Sequence, residues 1–356
     1  MNIAQVSPLY ESVPPRTYGG TERVVHYLTE ELAGLGHAVT LYASGDSHTR
    51  ARLRPIVPEA LRLARQKRDP TAWHTLLLAT VAREAEEFDF VHFHTDFLHF
   101  PLWRERRTPH VTTLHGRLDL PDLQAVYTEF RDMPVVSISN AQRAPLPQAN
   151  WVATVPNGVP ADLYDFQPDG GDYLAFLGRI SPEKGAEAAI DISLRSGIPL
   201  KIAAKVDPVD QDYFEERIRP RLKHPLIEFI GEVDEAGKNR LLGGAWALIL
   251  PIAWPEPFGL VMIEAMACGT PVIAYRRGSV PEVVVDGVSG YIVSSELEAV
   301  RAVAEIEAID RRACRECFEQ RFTSRRMAEG YLDVYRQLML HDKAATVAQE
   351  AVRSDG

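Results

Sequence analysis

The sequence is poor in cysteine, contains no long apolar run and has no excess of positive charge. Its cysteines are Cys268, Cys314 and Cys317, a small, odd number that argues against a disulfide framework and favours a reducing compartment. A formal net charge of −10 argues against a general nucleic-acid binder, which needs a basic surface. No apolar run approaches the ~20 residues that span a bilayer, and no basic leader precedes the first apolar segment. We expect a cytoplasmic protein, with peripheral membrane contact left open.

Several motifs of known chemistry are also missing. No GxGxxG follows the first predicted strand of either half, which disfavours a dinucleotide-dependent dehydrogenase. Cys314 and Cys317 form a lone CxxC without further zinc ligands nearby, and the alternating His92 and His94 have no third ligand. No convincing Asp-x-Asp metal motif is present. We therefore expect neither a metal nor a cofactor.

Short apolar segments alternate with amphipathic ones along the whole chain, which is the pattern of parallel α/β sheets. Predicted strands lie between residues 2 and 155 and again between 173 and 293, separated by a stretch rich in turn-forming residues. The prediction is two Rossmann-like, doubly wound domains, 1–165 and 170–323, facing a cleft, with a last helix at about 324–345 that packs back on the first. Site residues are expected at the carboxyl ends of the strands.

The most informative segment, residues 255–273, places two carboxylates around the start of a short helix. Glu256 lies in a proline-rich turn, and Glu264 lies within a helix predicted at about 258–268. Free backbone N–H groups at 259–261 can bind a diphosphate at the helix N-terminus. One carboxylate can then accept from ribose hydroxyls and the other from sugar hydroxyls. The pattern suits a nucleoside diphosphate sugar.

Further candidate residues follow predicted strands in both halves. Arg179 ends the first strand of the second half, and Lys184 follows at the start of a helix. Both can neutralise phosphate oxygens, and an ordinary solvated capping turn is the alternative. Gly19 and Gly20 lie at the first strand-to-helix turn, where glycine lets backbone approach a ligand closely. A flexible loop is the alternative there.

Polar residues also end two neighbouring strands of the first half. His94 and Asp96 end one strand and His115 the next. His115, followed by glycine, is the best candidate to contact a reacting sugar, and a polar strand end lining a cleft is the alternative. The basic stretch 50–68, which includes Arg65, is predicted to be a solvated helix face. An anionic acceptor or a membrane surface is the alternative partner for it.

These motifs resemble those of the retaining glycosyltransferases of family 4, which have the two-domain GT-B fold. The resemblance covers essentially the whole chain and rests on segments 18–22, 156–159, 178–179, 256–272 and 281–284. It implies that Glu256 contacts the donor sugar and Glu264 the ribose, while Arg179 and Lys184 neutralise the diphosphate.

The resemblance also implies roles for neighbouring backbone and for the first domain. The donor would further contact Ile230 and Glu232 near the base, Phe258, Gly259, Leu260 and Val261 at the sugar and phosphates, and Gly20. The acceptor side would comprise Gly19, Gly20, His94, Asp96 and His115. The expected catalytic residues are Glu256, His115, Arg179 and Lys184. Acceptor contacts are the least defined, because the proline-rich loop 12–15 is longer than in the shortest family members.

The sequence therefore predicts transfer of a hexose from a nucleoside diphosphate sugar, its co-substrate, to a hydroxyl acceptor. Transfer is expected to retain the anomeric configuration, to need no metal and to use front-face attack. The acceptor is a sugar, a lipid-linked sugar or a small molecule, and the base, the hexose and the oligomeric state stay open. A nucleotide-sugar epimerase or a phosphorylase on the same fold, and a non-catalytic nucleotide-sugar-binding protein, are the alternatives.

Overall fold

The computed structural model describes residues 1–16, 19–64 and 66–354, with side chains described up to residue 340. Thr17, Tyr18 and Arg65, which belong to segments singled out above, lie outside the described residues. The chain forms two compact units. The first comprises residues 1–138, 143–156 and the chain from 324 onward, and the second comprises 139–142 and 157–323. Segment 157–165, assigned by sequence to the first domain, therefore lies in the second unit.

The first unit is built on one parallel sheet. Its strands are β1 (Asn2–Val6), β2 (Ala38–Ser44), β3 (Arg52–Val57), β4 (Phe90–Phe93), β5 (His110–Thr113), β6 (Pro134–Ser137) and β7 (Asn150–Thr154). The helices that connect them are α1 (Gly20–Gly34), α2 (Pro70–Glu84), α3 (Phe100–Trp103) and α4 (Pro121–Glu129). Across the described residues the strand order is β3-β2-β1-β4-β5-β6-β7, so the winding direction reverses between β1 and β4.

Burial explains why these segments form a parallel sheet. Ile3, Ala4 and Val6 of β1 are fully buried, as expected for a central strand covered by helices on both faces. In α1, Val24 and Leu28 lie one turn apart on a face of the helix that is buried. The apolar face of α1 and the apolar run of β1 both belong to the buried interior of the first unit.

The basic stretch 50–68 is not a solvated helix face, and that prediction was wrong. Residues Arg52–Val57 form β3, the edge strand of the first sheet. Arg54 bonds Glu84 at the end of α2, with 2.6 Å between Nη2 and Oε1, and Pro55 is tolerated because an edge strand can spare an N–H. The charged side chains in this segment made the two-residue alternation of a strand hard to recognise in the sequence.

The second unit has the same kind of sheet. Its strands are β8 (Leu174–Arg179), β9 (Leu200–Lys205), β10 (Ile227–Gly231), β11 (Ala247–Leu250), β12 (Val272–Tyr275) and β13 (Gly290–Val293). Its helices are α5 (Ala186–Ser196), α6 (Gln211–Tyr213), α7 (Glu235–Gly243), α8 (Leu260–Ala267), α9 (Val280–Val283), α10 (Glu296–Ala304) and α11 (Arg311–Arg321). In this part of the chain the order is β10-β9-β8-β11-β12-β13, again with a reversal beside the first strand.

The last helix, α12 (Ser324–Ser354), belongs to the first unit. Its Tyr331 and Tyr335 are fully buried there, and the Ser324 hydroxyl donates to Glu31 of α1 at 2.7 Å. Burial of one helix face in this way stabilises a segment that is remote in sequence. Within the described residues, neither α12 nor any other helix combines the length and apolarity needed to cross a bilayer.

Candidate functional site

The central candidate site lies in the second unit, where the strand order reverses between β8 and β11. These neighbouring parallel strands both end at the same edge of the sheet. The loop after β8 contains Lys184, and the loop after β11 contains Glu256. Ligands of doubly wound sheets bind at this kind of switch point. Topology alone therefore brings the two motifs of the sequence together.

Close backbone packing joins the two loops. Gly185 has a φ of 77°, and a Cβ at this position would lie 2.2 Å from the carbonyl oxygen of Pro251. The N–H of Ala253 donates to the carbonyl of Glu183 at 2.9 Å. Only glycine allows this approach. It places the side chain of Lys184 beside the loop that follows β11.

Lys184 and Glu256 form a largely buried ion pair. Lys184 Nζ lies 2.5 Å from Glu256 Oε2, and the side chains are 18% and 12% exposed. The indole N–H of Trp254 donates to the same carboxylate oxygen at 3.0 Å, and Lys184 Nζ lies 5.1 Å from the centre of the Trp254 ring. Trp254 is a site residue that sequence reasoning missed, although its position two residues before Glu256 is the signal that could have found it.

Hydrogen bonds to its backbone carbonyls fix the Glu256 turn. The Ser279 N–H donates to the Glu256 carbonyl at 2.9 Å, and the Ser279 hydroxyl donates to the Phe258 carbonyl at 2.8 Å. The Ser139 hydroxyl donates to the Pro257 carbonyl at 2.6 Å. The carbonyls of three successive residues of the turn are thus fixed. The backbone from which the Glu256 side chain extends therefore has a defined position.

Helix α8 begins two residues later than predicted, at Leu260, because Gly259 takes a left-handed conformation with φ 77°. A Cβ on Gly259 would lie 2.8 Å from Met262 Cε. As an N-cap, glycine has no side chain that can accept from the first-turn N–H groups. The amides at 259–261 can therefore serve an anion, aided by the helix dipole.

The second carboxylate of the motif lies deeper. Glu264 is 4% exposed, and its Oε1 lies 2.8 Å from Lys238 Nζ on α7. The same Nζ lies 2.8 Å from Glu235, whose carboxylate accepts the Tyr164 hydroxyl at 2.9 Å. Lys238 was not predicted, because a single lysine in a polar nine-residue helix gives no periodic signal.

Arg179 is not brought against Glu256. Its guanidinium faces three carboxylates, at 3.4 Å from Glu183, 3.4 Å from Asp207 and 3.9 Å from Asp210. Burial acts to raise the pKa of Asp207, but the Lys205 ammonium and the Arg179 guanidinium hold that pKa below its usual range. In this structure the Arg179 guanidinium is therefore paired with these acidic side chains and not with Glu256.

The remaining predicted donor residues lie at the end of β10, the edge strand of the second sheet. Ile230 is 41% exposed and Glu232 is exposed. The pairing with β9 shifts register between Phe229 and Gly231, and Gly231 has a φ of 83°. Such a bulge turns backbone groups out of the ladder.

The predicted residues of the first unit gather at its own switch point. His94 follows β4 and His115 follows β5, and their rings are joined by a 2.8 Å hydrogen bond between His94 Nδ1 and His115 Nε2. His94 Nε2 also lies 2.8 Å from Gln5 Oε1 on β1. Burial lowers the pKa of His94 well below its usual range and lowers the pKa of His115 to about 3. Both rings are therefore neutral at physiological pH.

The other first-unit candidates lie in the loop after β4 and at the start of α1. Asp96 is exposed and has a left-handed backbone, with φ 49°. Gly19 is the N-cap of α1 and packs against Pro15, and Gly20 is the first helical residue. Among the described residues, no group of three His, Cys, Asp or Glu side chains is arranged to hold a metal ion.

Comparison with known proteins identifies the class that this fold and site define. The model described as Glycosyltransferase Family 4 matches residues 18–163, and the model described as Glycosyl transferases group 1 matches residues 166–317. The chain belongs to glycosyltransferase family 4, and its two parallel-sheet units are those of the GT-B fold. The family and the fold class predicted from the sequence are confirmed.

Individual relatives match over nearly the whole chain. Glycogen synthase of Mycobacterium tuberculosis is 28% identical over 91% of this chain and 91% of its own. Phosphatidyl-myo-inositol mannosyltransferase of Mycolicibacterium smegmatis is 28% identical over 82% of this chain and 81% of its own. The crystal structure of AviGT4, a glycosyltransferase involved in avilamycin A biosynthesis, superposes with a TM-score of 0.72 at 25% identity and covers 96% of this chain and 99% of that one.

Proposed function

We propose that this glycosyltransferase moves a hexose from a nucleoside diphosphate sugar to a hydroxyl acceptor, with retention at the anomeric carbon. The observation that carries the proposal is the Lys184–Glu256 pair at the start of α8. It combines an ammonium group, a carboxylate and an uncapped helix N-terminus. The ammonium group and the helix N-terminus suit a diphosphate, and the carboxylate suits sugar hydroxyls.

Donor binding would exchange the partners of this ion pair. Diphosphate oxygens would replace Glu256 as the partner of Lys184 and also accept from the amides at 259–261. The Glu256 carboxylate would then turn to hydroxyls of the donor sugar. Glu264, which is paired with Lys238, would accept from the ribose. Arg179 would reach the phosphates by leaving the carboxylates that surround it now.

The reaction that fits these residues is front-face substitution. The bond between the anomeric carbon and the phosphate oxygen breaks, and the acceptor oxygen bonds to the same face of that carbon. The acceptor proton passes to the departing phosphate oxygen. Lys184, Arg179 and the α8 amides would stabilise the negative charge that develops on the leaving group, and fixed dipoles of this kind are often the largest catalytic contribution.

The acceptor is left at the level of a hydroxyl group. The two relatives at 28% identity are named for different products, glycogen in one case and a mannosylated phosphatidyl-myo-inositol in the other. Equal similarity to both favours neither acceptor. We assign the acceptor side to His94, Asp96, His115 and the Gly19–Gly20 turn of the first unit.

A binding and transfer experiment tests the proposal. Thermal shifts with UDP-, GDP- and ADP-sugars identify the donor, since a ligand at a hundred times its dissociation constant stabilises by about 2.7 kcal/mol. NMR of the product then reports the anomeric configuration. Lys184→Ala should lose donor binding and turnover, whereas Arg219→Ala, an exposed arginine paired with Glu215, should retain both.

Four outcomes would overturn the proposal. An inverted product would remove the retaining mechanism. Sugar release that depends on inorganic phosphate would indicate a phosphorylase, and a change of donor stereochemistry without an acceptor would indicate an epimerase. Donor binding without turnover on a broad acceptor panel would indicate a binding protein.

A further inference from the structure

A continuous chain of hydrogen bonds runs through the core of the first unit and ends at His115. From the His94–Gln5 contact it passes to Tyr335 of α12, whose hydroxyl lies 3.1 Å from Gln5 Nε2 and 2.7 Å from His92 Nδ1. His92 Nε2 lies 2.7 Å from Thr113 Oγ1. Except for His115 at its end, which is partly exposed, the chain is buried, so each donor along it needs an acceptor.

The proton positions at the buried end follow from the chemistry of each group. Gln5 Nε2 donates to the Tyr335 hydroxyl, so the hydroxyl hydrogen of Tyr335 is free to donate to His92 Nδ1. His92 is neutral, because burial lowers its pKa well below the usual range. Its one ring hydrogen is therefore on Nε2 and donates to Thr113.

The hydrogen bonds beyond Thr113 agree with donation from His92 to Thr113. The Thr113 hydroxyl donates to the Tyr331 hydroxyl at 2.9 Å, so Thr113 Oγ1 has a lone pair for the His92 hydrogen. Tyr331 lies one helical turn before Tyr335 on α12. The C-terminal helix thus supplies both hydroxyls that bracket His92.

The same reasoning fixes the protons at the other end. Gln5 Oε1 can only accept, so His94 donates to it from Nε2. A neutral His94 then has no hydrogen on Nδ1, which must accept from His115 Nε2. A neutral His115 with its hydrogen on Nε2 has a bare lone pair on Nδ1, and the described residues provide no hydrogen bond to that atom.

We propose that Gln5, acting through His94, holds His115 in the Nε2–H tautomer, so that His115 presents Nδ1 as a hydrogen-bond acceptor for a substrate hydroxyl. The identity of the substrate as a sugar rests on the proposed function, whereas the tautomer of His115 does not. Gln5, His94 and Tyr335 are positioning residues. The ring as held cannot donate from Nδ1, so it selects a hydroxyl group over a phosphate.

The tautomer can be measured in the free protein. Long-range 1H–15N correlation spectra of protein labelled at the histidine ring nitrogens distinguish a protonated nitrogen from a bare one. The signals of His115 are assigned by their loss in His115→Gln. We expect a bare Nδ1 and a protonated Nε2 at neutral pH. A protonated Nδ1, as reversal of the Gln5 amide would produce, overturns the proposal, and so does a doubly protonated ring.

Two tyrosine variants provide a matched comparison. Tyr335→Phe removes the acceptor of the Gln5 amide, which can then rotate, so a second His115 tautomer should become populated. Tyr331→Phe deletes the same group one turn earlier, at the end of the chain beyond Thr113, and should leave the His115 signals unchanged. Identical His115 spectra in both variants and the wild type would remove Tyr335 and Gln5 as positioning residues.

Activity gives a separate readout. With the donor found by the thermal-shift screen, Tyr335→Phe should lower kcat/KM by about threefold to tenfold, the value of one neutral hydrogen bond, and Tyr331→Phe should not. Gln5→Leu, which removes both amide groups, should match or exceed the effect of Tyr335→Phe. A wild-type protein with the expected tautomer but no transfer activity would contradict the proposed function and leave the tautomer assignment standing.

Discussion

At the scale of single residues, Lys238 is the group on which the buried end of the proposed donor site depends. Its side chain is 10% exposed and that of Glu264 is 5% exposed. Removing one partner of a buried ion pair leaves an uncompensated charge, at a cost of about 3–5 kcal/mol. We therefore expect Lys238→Met to lower the free energy of unfolding by that amount and to raise the donor dissociation constant, as measured by urea unfolding and by calorimetry.

Two further variants distinguish the loss of the buried ion pair from a nonspecific loss of stability. Lys201→Met breaks a more exposed pair, 3.9 Å from Glu228, and should cost at most about 1 kcal/mol. Combining Lys238→Met with Glu264→Leu should recover much of the lost stability, because the buried charge disappears with its partner. It should not recover donor affinity. A stable Lys238→Met protein that binds donor normally would contradict the assignment of Glu264 to the ribose.

Gly185 allows a second test at the residue scale, because Gly197 has a similar backbone in open space. Both have positive φ, at 77° and 72°. A Cβ on Gly185 would collide with the Pro251 carbonyl, whereas one on Gly197 would meet nothing within 4 Å. Gly197→Ala should cost about 1–2 kcal/mol from the left-handed conformation alone. Gly185→Ala should cost more and displace Lys184, so that donor affinity falls only in this variant. Equal losses in urea unfolding would contradict the proposed contact.

The site residues that sequence could identify are those whose neighbours in the chain constrain them. Glu256 and Glu264 stand in one continuous motif, and Lys184 lies beside Gly185 in a strand-to-helix turn. Lys238 could not be identified in this way, because its partner is 26 residues away in sequence and the contact exists only once α7 packs beside α8. The role of Gln5 was equally hidden, since it depends on a helix more than 300 residues later.

At the scale of elements, Glu282 at the start of α9 docks the segment 139–142. Its carboxylate accepts from the backbone N–H groups of Asn140 and Ala141, each at 2.7 Å. These amides open a short 3-10 turn, where a negative charge is favourable. The same segment contacts the Glu256 turn through Ser139. The Glu282 carboxylate therefore supports the Glu256 turn, and with it the proposed donor site, through segment 139–142.

We expect Glu282→Gln to loosen this segment, because an amide offers one oxygen where two N–H groups need acceptors. The cost should be about 1–3 kcal/mol. Hydrogen exchange should accelerate in residues 139–142 and 255–258, and donor affinity should fall. Glu307→Gln, an exposed carboxylate of the same unit, is the control. Unchanged exchange in both segments would remove the docking role.

Element boundaries show why sequence patterns were insufficient in two places. The strand β3 was missed because three arginines and a proline lie in or beside an apolar alternation, and only its place at the sheet edge makes them acceptable. The start of α8 was set too early because Phe258 is apolar and buried like a helix residue. The left-handed backbone of Gly259 excludes Phe258 from the helix. Both outcomes depend on tertiary position.

At the scale of the whole molecule, burial makes one unit sensitive to acid. Burial lowers the pKa of a set of described histidines that all belong to the first unit, namely His26, His37, His74, His92, His94, His99, His110 and His115. Below about pH 6.5, an unfolded chain binds protons at these rings that the folded chain does not bind. The free energy of unfolding must therefore fall as pH decreases.

We expect a loss of up to about 1 kcal/mol between about pH 6.5 and 5.5 for each ring whose pKa is lowered furthest, namely His92, His94, His99, His110 and His115, a smaller loss for the other three rings, and no loss above about pH 7.5. Urea unfolding at a series of pH values measures it. Asp96, whose pKa desolvation raises to about 6, and Glu22, whose pKa burial also raises, act with the opposite sign and offset part of the loss. His92→Gln keeps an amide that can bond Tyr335 and Thr113, so it should flatten the pH dependence by the share of one ring. His48→Gln replaces an exposed histidine of the same unit and should leave the slope unchanged. Stability that stays constant or rises on acidification would mean that these rings gain protons in the folded state, and the neutral hydrogen-bond chain that ends at His115 would be wrong with it.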